Sequence, residues 1–143
     1  MRRVALPALV LASSLLFFSH ADAGKPGGGG PGGGGGSASG SFQQINGSGV
    51  GGTVSLRALS TGTRISVNLK GLQYDTEYVG TWSTTVACDM GAAPPAGAFM
   101  RFRGSKRGTA SFTVDVSEPF ADIHSVAVQL GQYLDLVACA PVN

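Results

Sequence analysis

Histidine, cysteine and charge are scarce in this chain: its 143 residues include 2 histidines and 2 cysteines, and 13% of them are charged. His20 falls among the first 23 residues, so His124 is the sole imidazole beyond them. Copper and zinc centres built on imidazole need several such donors in a fixed shell, which one histidine does not supply. Asp122 and Ser125 are close to His124 in sequence, but adjacent residues on a strand point to opposite faces, so the three do not make a nucleophilic triad by proximity. The acids Asp75, Glu77, Asp89, Asp115, Glu118, Asp122 and Asp135 are scattered, with no pair spaced for general acid–base work. The expectation is a protein without catalytic residues, metal ligands or a cofactor.

Two further absences narrow the class. No stretch of about ten residues carries the apolar stripe of an amphipathic helix, which disfavours a helical bundle. The longest apolar run, Val4 to Phe18, has 15 residues and contains Pro7, short of the roughly 20 needed to span a bilayer. With Arg2 and Arg3 before it and Ala21-Asp22-Ala23 after it, the run reads as a secretory signal over residues 1–23. Removing it leaves 8 Lys+Arg against 7 Asp+Glu, a net charge of +1, so nucleic acid is not an expected partner of the protein as a whole. An even cysteine count behind an export signal predicts one disulfide, Cys88 to Cys139, and a secreted or periplasmic location.

What is abundant is glycine, and it is unevenly spread: 11 of the 23 glycines lie between Gly24 and Gly40. Glycine loses the most backbone entropy on ordering, so residues 24–41 read as a disordered tail and 42–143 as one folded domain. Gly28-x-Gly30-x-x-Gly33 and Gly47-x-Gly49-x-x-Gly52 match a dinucleotide fingerprint only in spacing, because neither opens a helix that would receive the phosphates. The second set reads as a turn before a strand, and Asn46-Gly47-Ser48 has the form of a glycosylation sequon.

Beyond residue 42 the hydrophobic period is two. Ile65, Val67 and Leu69 alternate with Arg64, Ser66, Asn68 and Lys70, and Ala110, Phe112, Val114 and Val116 alternate with Ser111, Thr113, Asp115 and Ser117. Further strands are expected over 53–59, 77–87, 98–103, 123–130 and 134–140, with a weaker one near 42–45. Short strands separated by Gly, Pro and Asp turns predict an all-β, antiparallel Greek-key sandwich or flattened barrel of about seven or eight strands. Tyr78, Trp82, Val86 and Cys88 share a parity, which on a regular strand sets both rings and the disulfide on the core face. Gly71 to Tyr78 reads as a corner between sheets, with Tyr78 tying down the backbone.

One cluster carries a binding signal. Arg101, Arg103, Lys106 and Arg107 fall within seven residues around a turn at 104–108. Met100 and Phe102 are expected to face inward and both arginines outward. Outward charges protect a sheet edge from unwanted pairing, and the same four side chains suit contact with an anionic envelope or polysaccharide surface.

With the strands placed, residues 49–140 resemble the copper/zinc superoxide dismutase-like sandwich family. The matching features are Gly52-Thr-Val-Ser-Leu, the strand and corner Ile65-Ser-Val-Asn-Leu-Lys-Gly-Leu followed by Thr76 and Tyr78, and Ser125-Val-Ala-Val-Gln followed by Leu136-Val-Ala-Cys139. The resemblance implies a Cys88–Cys139 pairing, as in that family. It also implies metal-binding histidines, which this chain replaces: the His-x-His strand reads Gly80-Thr-Trp-Ser-Thr84, and Gln129 falls where a late histidine would be. The implied protein is a scaffold without metal chemistry, with a degenerate metalloprotein using His124 as the alternative. A fibronectin type III or immunoglobulin-like sandwich shares the corner but usually ends about two strands after it, whereas about 65 residues follow Tyr78 here.

Overall fold

The computed structural model describes residues 35–86, 88, 95–131 and 135–142. Chain contacts divide the protein into Met1–Gly32 and Gly33–Asn143, and every described residue belongs to the second unit. The expected signal at 1–23 and most of the expected tail lie outside the described residues. Among the described residues no helix is long and apolar enough to cross a membrane.

Eight strands form one antiparallel sheet: β1 Ser37–Gln44, β2 Gly51–Leu59, β3 Gly62–Lys70, β4 Glu77–Ser83, β5 Gly97–Arg103, β6 Thr109–Val116, β7 Ser125–Leu130 and β8 Leu136–Pro141. A 3-10 turn, Phe120–Asp122, precedes β7. The strand order is β5-β4-β7-β8-β1-β2-β3-β6, so the chain leaves β3 at the corner, crosses to β4, and later returns β6 to the far side of β3. That is the expected all-β Greek-key class. Alternation sets the core: Ile65, Val67 and Leu69 of β3 are fully buried with Val54 and Leu56 of β2, Tyr78 of β4, Val126 and Val128 of β7, and Ala138 and Ala140 of β8.

The sheet curls until its edge strands β5 and β6 meet without a backbone ladder. Aromatic rings fill the seam instead: Phe102 and Phe112 lie 4.9 Å apart between centroids and Phe99 and Phe112 6.2 Å. Ala110, Phe112, Val114 and Val116 face inward as expected but are only half-buried, because β6 is an edge.

Four expectations need correction. First, β1 starts at Ser37, inside the stretch read as tail. Its sequence has little strand propensity, but its backbone is paired to β2 from Ser37↔Arg57 to Phe42↔Gly52 and to β8 at Gln43↔Cys139 and Gln44↔Ala138. Pairing along its length, first to β2 and then to β8, gives the main chain partners regardless of side chains, and a side chain at Gly40 would collide with the carbonyl of Pro141. Second, β4 stops at Ser83 rather than 87: the Ser83 hydroxyl accepts a hydrogen bond from Thr85 N at 3.3 Å, turning the chain.

Third, that turn ends the parity argument. Tyr78 is in the core and Trp82 packs against it half-buried, its indole over Gly97 of β5, but Val86 is 53% exposed. The expected disulfide forms, with Cα atoms 5.8 Å apart, yet not against the tryptophan. Cys139 is in register with Ala127, whose neighbours Val126 and Val128 carry the core face, so the bridge closes on the opposite, outer face. Fourth, the β4–β5 register shifts between Gly80 and Thr81. The bulge at Phe99 turns that ring inward and leaves Met100 37% exposed. Phe102 faces inward as expected.

Candidate functional site

The Gly71 to Tyr78 corner and the basic turn are built as one unit at one end of the sheet. Asn46 and Gly47, both at positive φ (52° and 69°), close the β1–β2 hairpin with Ser48 N bonded to Ile45 O at 3.1 Å, as a type I′ turn requires. In the corner, the Tyr78 hydroxyl accepts a hydrogen bond from Gln73 N at 3.0 Å, the expected tie. Three backbone bonds then stitch corner to turn: Leu72 N to Gly108 O at 3.0 Å, Asp75 N to Gly104 O at 3.0 Å and Gly104 N to Thr76 O at 3.2 Å. Tyr74 and Gly104 form an isolated bridge, and any side chain at Gly104 would strike the carbonyl of Gln73.

The four cations expected to act together divide into two pairs. Arg101 Nη1 lies 2.7 Å from Glu77 Oε1. Arg103 Nη1 lies 3.0 Å from Asp75 Oδ1 and donates to the Asp75 carbonyl at 3.1 Å. These contacts hold Asp75 at φ 56°, a left-handed conformation uncommon outside glycine and asparagine-like residues. Lys106 and Arg107 are exposed on the turn with no ion pair among the described residues. Lys70, also exposed, is in register with Thr109, the first residue after the turn.

One residue of this end has no counterpart in the sequence reading: Tyr74 is 63% exposed. The corner needs Leu72 in the core and the Tyr78 hydroxyl on Gln73 N; it does not need a second aromatic. A ring unused by the local fold was the available signal.

Elsewhere, the sheet offers two other polar regions. On the outer face of β1, β2 and β3 an open groove of about 490 Å³ is lined by Ser39, Ser41, Thr53, Ser55, Ser66 and Asn68. At its margin Arg64 and Asp115 form a two-pronged pair at 2.7 and 2.8 Å. Hydrogen bonding to Asp115 raises the Arg64 pKa, and hydrogen bonding to Arg64 lowers that of Asp115 below 3.8.

The second region is the outer face of β4 and β7. Thr81, Ser83, Ser125 and Gln129 are buried there. Ser83 bonds Thr85 and the Ser125 hydroxyl donates to Thr85 O at 2.8 Å, but Thr81 Oγ1 and Gln129 Oε1 have no partner. Thr81 and Ser83 lie in the Gly80–Thr84 stretch, and Gln129 falls about at the late position, for which the superoxide dismutase-like resemblance implies metal-binding histidines. Neutral hydroxyl and amide oxygens do not suit copper or zinc, which favour imidazole and thiolate. Among the described residues no cluster of His, Cys, Asp and Glu is arranged to hold a metal ion. His124 is half-buried with its backbone bonded to Ser83 O and Val142 N, so it is built into the edge of the fold through its main chain.

No protein-family model matches the chain, and no curated protein matches it at a significant level.

Proposed function

We propose that the protein is an exported, non-catalytic β-sandwich that binds an anionic surface in the cell envelope or the extracellular space. The observation that carries this reading is the charge division at the basic turn: Arg101 and Arg103 are engaged by Glu77 and Asp75, while Lys106 and Arg107 are exposed without an ion pair among the described residues. Two unpaired cations on a turn anchored by backbone hydrogen bonds present fixed charge to a partner. The Cys88–Cys139 disulfide supports an oxidising compartment, and the sequence before residue 24 supports export.

The strand order and the bridge from the segment after β4 to the last strand support the superoxide dismutase-like resemblance at the level of scaffold. Thr81, Ser83 and Gln129 argue against retained metal chemistry. Envelope fractions should retain the purified protein at low salt and release it at high salt, since exposed charges are screened over about 10 Å at 0.1 M. Retention that is unchanged in Lys106→Ala/Arg107→Ala would sink the proposal, and stoichiometric copper or zinc in protein from its native compartment would replace it with the metalloprotein alternative.

A further inference from the structure

Three observations coincide at the corner end of the sheet, and they are independent of one another. Tyr74 is the most exposed large hydrophobic side chain among the described residues, at 63%. Its neighbour Asp75 sits at φ 56°, held by Arg103 and by Gly104 O. The adjoining turn carries Lys106 and Arg107, with Lys70 beside Thr109. The acids of this end do not cancel those three cations: Asp75 and Glu77 are taken by Arg103 and Arg101. Asp135 belongs to the β7–β8 side, where Leu130 N bonds its carbonyl at 2.9 Å.

We propose that Tyr74 and the 104–108 turn form a platform for an acidic polysaccharide, the ring stacking on a sugar face while Lys70, Lys106 and Arg107 hold its carboxylate, sulfate or phosphate groups. The inference rests on the anionic-surface reading and adds a ligand class and a specificity residue to it. A tyrosine offers a large rigid face at low entropic cost, with a hydroxyl that tolerates water. Here its backbone is already fixed by the bridge to Gly104 and the flanking hydrogen bonds, so little ordering is needed on binding. A lipid surface would call for several apolar side chains to insert; among the described residues Tyr74 is the one large exposed apolar side chain of this end, since exposed Val86 follows the opposite end of β4.

The test uses the purified protein against polygalacturonate and heparin, with amylose and phosphatidylglycerol-containing vesicles as comparisons, in a titration at low and high salt. Binding to an acidic polymer is expected, lost at high salt and in Lys106→Ala/Arg107→Ala. Tyr74→Ala should weaken it roughly 3- to 10-fold, the size of one aromatic contact, and Tyr74→Phe should retain it. Unchanged melting temperature in each variant establishes folding, which the exposure of all three side chains favours. If Tyr74→Ala binds like the parent while Lys106→Ala/Arg107→Ala does not, the anionic-surface reading stands and the sugar platform falls. Binding to vesicles alone, or to no acidic polymer, also overturns the platform. Equal binding by every variant overturns both readings.

Discussion

Tyr78 shows how one atom fixes a corner. Its ring stacks on Phe102 at 5.7 Å inside the core while its hydroxyl satisfies Gln73 N outside it. Tyr78→Phe keeps the packing and removes the tie, so it should lower stability by about 0.5–1.5 kcal/mol, read as a lower urea midpoint at unchanged slope. Thr81 makes the opposite case. Its hydroxyl is buried and unpartnered, and an unsatisfied buried group costs about 1–3 kcal/mol while a shape-mate without it does not. Thr81→Val should therefore raise the melting temperature. A variant that melts lower would mean the hydroxyl has a partner in solution. The sequence showed Tyr78 as a tie, because the corner pattern is local. It did not show Thr81 as an orphan, because that depends on what lies across from it on β7.

At the scale of elements, β6 illustrates what alternation decides and what it leaves open. The pattern Ala110, Phe112, Val114, Val116 set the inward face correctly, but not that β6 would be a sheet edge, since edge position depends on which strand returns to which partner. The outer face of β6 is joined to β3 by Arg64–Asp115, an exposed pair. Asp115 has a folded pKa below its unfolded one, so the pair stabilises the fold above about pH 4, the ordinary carboxylate range. That contribution disappears as the pH falls through the folded value. Asp115→Asn should flatten the loss of stability between about pH 4 and pH 2, with little effect at pH 7 because exposed ion pairs contribute little. Urea midpoints measured across that range for both proteins check it. In β5 the sequence period failed at one residue: the bulge at Phe99 moved Met100 outward, and a bulge leaves no mark on a simple alternation.

At the largest scale, the described residues form an eight-stranded sheet whose seam is closed by rings and whose last strand is tied to the segment after β4. The 51-residue separation of Cys88 and Cys139 implies about 4 kcal/mol from restricting the unfolded chain. Cys88→Ser/Cys139→Ser should lose a stability of that order in urea titrations, and reductant should destabilise the parent but not the variant. Equal midpoints with and without reductant would show that the bridge does not constrain the fold. The basic cluster is the clearest case of site residues read one way and arranged another. Sequence proximity grouped Arg101, Arg103, Lys106 and Arg107, while the fold brought Glu77 and Asp75 to the arginines and Tyr74 to the turn.

By itself the sequence determined the period of the strands, the pairing of its two cysteines and the shortage of metal-binding side chains, because each follows from local pattern or simple count. Only the tertiary structure decided that Ser37–Gln44 becomes a strand, that the disulfide lies on the outer face, and that two of four clustered cations are neutralised. Those outcomes depend on which backbone and which charge arrive from distant parts of the chain, and no local spacing encodes them.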